Sequence, residues 1–119
     1  MRPHEKLEAW IKAVDFVVAV YRATESFPKE EKFGLTSQIR RAAVSVPANI
    51  AEGAGRKSSK EFAHFLSNAQ GPASEVETEL LIARRLGFMD EGNYTILHAS
   101  LDEIGRMITG LTRHLEHRL

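Results

Sequence analysis

The chain of 119 residues contains no cysteine, so neither disulfides nor thiolate metal centres can form, and a reducing cytoplasm is the expected setting. It also lacks net charge, because sixteen basic and sixteen acidic residues cancel. A protein that binds nucleic acid over its whole surface usually carries a positive excess. Any such role here must therefore rest on a local patch, or on a patch repeated in an assembly. No apolar run is long enough to span a bilayer. The opening MRPHEKLEAW has neither the apolar run nor the cleavage site of a secretory leader, which again points to the cytoplasm. Strand alternation, internal repeats and low-complexity tracts are missing, and helical periodicity is what remains. One domain, residues 1–119, is expected, able to bury about two-thirds of its unfolded surface.

What the chain does contain is four helical segments. The first is expected over residues 4–27, ending before Pro28, which pushes its predecessor out of the helical region. Leu7, Trp10, Ile11, Val14, Val17, Val18 and Tyr21 share one face, read as core. Phe16 and Val20, with Ala9 and Ala13, form a second apolar strip on the other side. Glu8 and Lys12 have the spacing of an ion pair. A polar linker, PKEEKFG, leads to a second helix that starts near Leu35 or Thr36 and ends at Gly53-Ala54-Gly55, with a glycine for a left-handed cap.

In that second helix Leu35, Ile39, Ala42, Val46, Ile50 and Gly53 fall on one narrow core face. The opposite side carries Val44, Pro47, Ala48 and Ala51, where a surface helix should show charges. Between them run Gln38, Arg41, Ser45, Asn49 and Glu52, expected to form a packed, hydrogen-bonded seam. Pro47 removes one backbone donor and should bend the helix.

The third helix, Ser59 to Leu86, opens with Ser58 and Glu61 at capping-box spacing. It repeats Phe62, Leu66, Ala69, Ala73, Val76, Leu80 and Ala83 at steps of four and three. The phase survives Gly71-Pro72, which predicts one kinked helix stopped by Gly87. The fourth, residues 90–117, steps through Leu97, Leu101, Ile104, Ile108, Leu111 and Leu115. Its back, Asp102, Arg106, Thr109 and Arg113, is polar. Short connections make the expected fold all-α, a left-handed up-down-up-down four-helix bundle. The last two helices show water a polar face and the first two do not. A subunit interface is therefore expected on the first two, through Phe16, Val20, Val44, Pro47, Ala48 and Ala51.

Catalytic and metal chemistry find little support. Glu61 and His64 have the Glu-x-x-His spacing of a di-iron bundle but stand alone, and His114 and His117 lack a third ligand. Glu75, Glu77 and Glu79 read as surface acids with no base or nucleophile beside them. GAGRKSS has neither the spacing nor the preceding strand of a phosphate-binding loop. No cofactor is implied. The basic elbow Arg56, Lys57 and Lys60, with Arg40 and Arg41 further back, is a candidate RNA- or DNA-binding patch, helped by the amides that open the third helix. In a ring the patch would repeat around one rim, and repetition strengthens a weak site.

The run QIRRAAVSVPANIAEGAGRKSSKEF, with Pro47, Asn49-Ile50-Ala51-Glu52-Gly53 and Arg56 in order, resembles the four-helix-bundle family first noted as reading frames within intervening sequences of bacterial large-subunit ribosomal RNA genes. The resemblance continues through AQGPASEVETELLIARRLGF, departing at Pro72, where serine is expected after Gly71. The accessory protein of diversity-generating retroelements resembles the same family. These resemblances imply an up-down bundle assembled into a homopentameric ring, and no enzyme. They imply as partners a reverse transcriptase and its nucleic acid. The expected function is thus a non-enzymatic scaffold or adaptor, with a nucleic-acid-binding module as the alternative.

Overall fold

Asp90 opens the last helix by accepting the amide N–H of Asn93 on its carboxylate at 2.7 Å, and Ser58 opens the third by accepting that of Glu61 at 3.1 Å. Each satisfies a donor that the helix itself leaves free. In the computed structural model, which describes residues 1–117, the helices are α1 (Glu8–Thr24), α2 (Leu35–Ala54), α3 (Ser59–Arg85) and α4 (Glu91–Glu116). Short 3-10 turns, Pro3–Lys6 and Lys29–Glu31, precede α1 and α2. The last two residues of the expected domain, 118–119, lie outside the described residues. No strand occurs among the described residues.

Each helix packs on the next, and α4 closes on α1, while the backbones of the diagonal pairs stay further apart. This is an all-α four-helix bundle in up-down-up-down order, 46 Å long and 22 Å across. Both prolines are accommodated within unbroken helices, Pro47 in α2 and Pro72 in α3. Gly55 closes α2 at φ −83°, so the expected left-handed cap is absent. That conformation falls instead to Gly87 after α3, at φ +80°.

The core faces read from α2, α3 and α4 are the ones buried. Ile39, Val46, Ile50, Leu66, Val76, Leu80, Ile104 and Ile108 have almost no exposed surface. Where α2 ends against the start of α3, a Cβ on Gly53 would stand 2.7 Å from the Phe65 Cβ and 3.0 Å from Phe62, so glycine sets how closely the two helices approach. Phe27 and Met89 are buried at the opposite end, and the rings of Phe27 and Phe88 meet at 5.8 Å to close it.

In α1 the fully buried strip is not the one expected, although Leu7, Trp10 and Val17 of the expected face still pack against the edge of the core. Ala9, Ala13, Phe16, Val20 and Thr24 face the core, Phe16 at 3% exposure and Val20 at none. Ile11, Val18 and Tyr21 lie outward at 44%, 44% and 41%. The physical reason is that a helix apolar on both sides gives two faces of the right period. Small Ala9 and Ala13 let α1 come close to its neighbours, and Phe16 and Val20 fill the space between. Lys12 likewise pairs across helices with Glu103 of α4, at 3.3 Å, and not with Glu8.

Candidate interaction surface

With α1 turned in this way, its outward face and that of α2 form one apolar strip. Ile11, Val18 and Tyr21 follow each other on α1 with half-buried Val14 among them, and Val44 and Ala48 are exposed on α2 beside half-buried Ala51. Three of the six residues expected at a subunit interface therefore stay available, namely Val44, Ala48 and Ala51. Phe16, Val20 and Pro47 are buried within the protomer and cannot meet a neighbour. The other half of the bundle is more polar, although Ile82, Leu86 and Ile96 are exposed near the end closed by Phe88.

The five basic residues do not form one patch. About 20 Å of helix separates Arg41 from the elbow after α2, which places Arg40 and Arg41 near one end of the bundle and Arg56, Lys57 and Lys60 near the other. Arg56 is partly neutralised, pairing with Glu52 at 2.9 Å while its guanidinium lies 4.6 Å from the Phe65 ring centre. Lys57 and Lys60 are exposed and, among the described residues, without an ion-pair partner. Arg40 is fixed in place. Its Nε donates to Thr24 Oγ1 at 2.8 Å, its Nη2 donates to the Tyr21 carbonyl at 3.1 Å, and the guanidinium lies 4.6 Å from the Tyr21 ring centre. Thr24 Oγ1 in turn donates to the Val20 carbonyl at 2.8 Å. A side chain of α2 thus satisfies the last turn of α1.

Beside this clamp lies an open groove of about 490 Å³, lined by Tyr21, Lys32, Phe33, Thr36, Ser37, Arg40, Arg41 and Val44. Lys32 and Phe33 belong to the linker in sequence, and nothing in a local pattern brings them to Tyr21 and Arg40. Phe33 is 89% exposed, with the Lys32 ammonium 5.4 Å from its ring centre.

Apart from Arg40, the polar edge of α2 makes no bridge to another helix among the described residues. Asn49 donates to the Ser45 carbonyl at 2.9 Å and reaches its hydroxyl at 3.3 Å, Arg41 donates to Ser37 at 3.1 Å, and Glu52 takes Arg56. With Gln38, Arg41 and Glu52 exposed, the expected packed seam is in the protomer a solvated edge of contacts one turn apart.

On α3 the surface reading of Glu79 is corrected: it is 6% exposed, and its Oε1 has no partner. Burial, and then the charge of Glu75, push its pKa from 4.5 up to about 7. The signal was present, since Glu79 lies one turn from both Val76 and Ala83. Glu77 is outward and pairs with His98 at 3.3 Å. No cluster of three histidine, aspartate or glutamate side chains among the described residues is placed to hold a metal.

A sequence model described as 23S rRNA-intervening sequence protein matches residues 5–110. Among solved structures the chain is similar to a protein of unknown function from the S23 ribosomal protein family of Bacteroides thetaiotaomicron VPI-5482. The two share 23% identity at a TM-score of 0.78 over 87% of this chain and 97% of that one, a likeness of fold. No curated protein matches.

Proposed function

The chain belongs to the 23S rRNA-intervening sequence protein family, and from that premise we propose a non-enzymatic scaffold that assembles with copies of itself through the outward faces of α1 and α2. The observation that carries this reading is the apolar strip of Ile11, Val18, Tyr21, Val44 and Ala48, which no other part of the protomer covers among the described residues. Single exposed apolar residues are ordinary, but a continuous strip on two neighbouring helices is the mark of an interaction surface. Packing that strip against a different face of the next copy gives a head-to-tail contact, which forms a ring when the rotation between copies closes. The resemblance described above supports five copies in that ring. Its work would be to hold a partner protein, such as a reverse transcriptase, or a nucleic acid, within the cytoplasm.

The test is the mass in solution by light scattering over a wide concentration range. The wild-type protein is expected to be larger than one chain, and Ile11→Asp with Val18→Asp is expected to reduce it to the protomer with its helix content retained. A wild-type protein that stays monomeric when concentrated overturns the proposal.

A further inference from the structure

The groove beside the Arg40 clamp shares Tyr21 and Val44 with the apolar strip and adds to them polar and aromatic residues that the scaffold reading does not use. Three cations, Lys32, Arg40 and Arg41, meet in it with two aromatic rings and two hydroxyl-bearing side chains, Thr36 and Ser37, and no carboxylate lines it. Glu31, the acid next to it in sequence, turns one carboxylate oxygen to the backbone N–H of Leu35 at 2.9 Å and does not line the groove. In a chain of zero net charge, this is a local concentration of one sign. Arg40 is already ordered by Thr24 and Tyr21, so a ligand has less side-chain freedom to freeze. Phe33, at 89% exposure, offers its ring to solvent at the mouth of the groove. The volume of about 490 Å³ is that of a small-ligand pocket.

Cations that neutralise phosphate, interleaved with an open aromatic ring, are what unpaired bases on a charged backbone require. We propose that this groove binds single-stranded nucleic acid, with phosphates on Lys32, Arg40 and Arg41 and a base stacked on Phe33. A duplex keeps its bases stacked inside and cannot use the ring. This rests on the reading that the scaffold carries a nucleic acid, and it moves the contact from the elbow at Arg56 to the opposite end of the bundle. In a ring each protomer would contribute one groove, and a strand crossing several would gain from their repetition.

The test is fluorescence anisotropy with a labelled oligothymidylate and a labelled oligouridylate, across a salt series. Lys32→Glu with Arg41→Glu is expected to weaken binding and to lower the salt slope by about 1.4. Phe33→Ala is expected to weaken it about fivefold or more with the salt slope kept. Lys57→Glu with Lys60→Glu, at the far end, is expected to leave it unchanged. All these side chains are exposed, so the fold should survive, which circular dichroism checks. Wild-type protein that binds no strand at low salt overturns the groove, as does loss with the far-end pair but not with Lys32 and Arg41. Equal affinity for duplex also overturns it. A mononucleotide or an acidic peptide that binds as tightly as the strand would replace nucleic acid as the occupant. Light scattering on the same samples separates the readings, because a protein that assembles but binds no strand loses the groove and keeps the scaffold.

Discussion

Helices α1 and α3 face the same problem and solve it in opposite ways. In α3 the residues at steps of four and three go inward, with Leu66, Ala69, Val76 and Leu80 buried and Ser74, Glu75 and Glu77 in water. In α1 the strip with fewer large residues goes inward, and Ile11, Val18 and Tyr21 stay outside. The difference teaches that side-chain bulk alone does not select the buried face. Where a helix is apolar all round, the face that lets neighbours approach is the one that packs, and the remainder is left for another molecule.

The sharpest way to break this comparison is to truncate one residue from each strip of α1. Phe16→Ala should cost about 3–5 kcal/mol in urea denaturation at every protein concentration, as a buried aromatic does. Ile11→Ala should cost less than about 1 kcal/mol in dilute protein and more as concentration rises, since its burial would come only with assembly. A concentration-dependent loss at Phe16 and a fixed one at Ile11 would restore the opposite assignment.

A smaller effect is expected at the junction of α2 and α3. Gly53→Ala must push apart Phe62 and Phe65 and should cost about 2 kcal/mol by thermal or chemical unfolding. Gly105→Ala on α4, where a Cβ meets nothing within 4 Å, should be neutral or stabilising by up to about 1 kcal/mol.

An effect comparable to that of Gly53 concerns the one carboxyl on the inner side of α3. The folded protein raises the Glu79 pKa from 4.5 to about 7, so folding favours its protonated form. Stability from this group is therefore greatest below pH 4.5 and falls as the pH rises, with the full penalty standing above about pH 7. Glu79→Gln should be more stable than wild type by on the order of 1–2 kcal/mol above neutrality, with the gap closing in acid. Unfolding curves at several pH values measure it, and a gap that widens in acid would contradict the burial.

Much of the bundle was legible in the sequence because α2, α3 and α4 each have one inward face of the right period. The α1 face was not, because Ile11 and Phe16 sit on strips of equal regularity and only the neighbouring helices decide between them. Glu79 was misread because three acids in five residues look like a wet surface, although its helical position was on the core flank. The groove was invisible for a different reason. Tyr21, Phe33 and Arg40 come from three segments, and the fold alone brings them together. The five basic residues read as one site were close in sequence terms, but a helix between them holds Arg41 and Lys57 at opposite ends.

The bond from Arg40 to Thr24 and Tyr21 has an architectural consequence. It ties the end of α1 to the start of α2 without relying on residues 25–34 between them. That segment is relieved of acting as a ruler: the register of the two helices is held by a clasp, so the loop can be lengthened at its exposed Lys29 and Glu30 while Phe27 stays buried and the pair keeps its alignment.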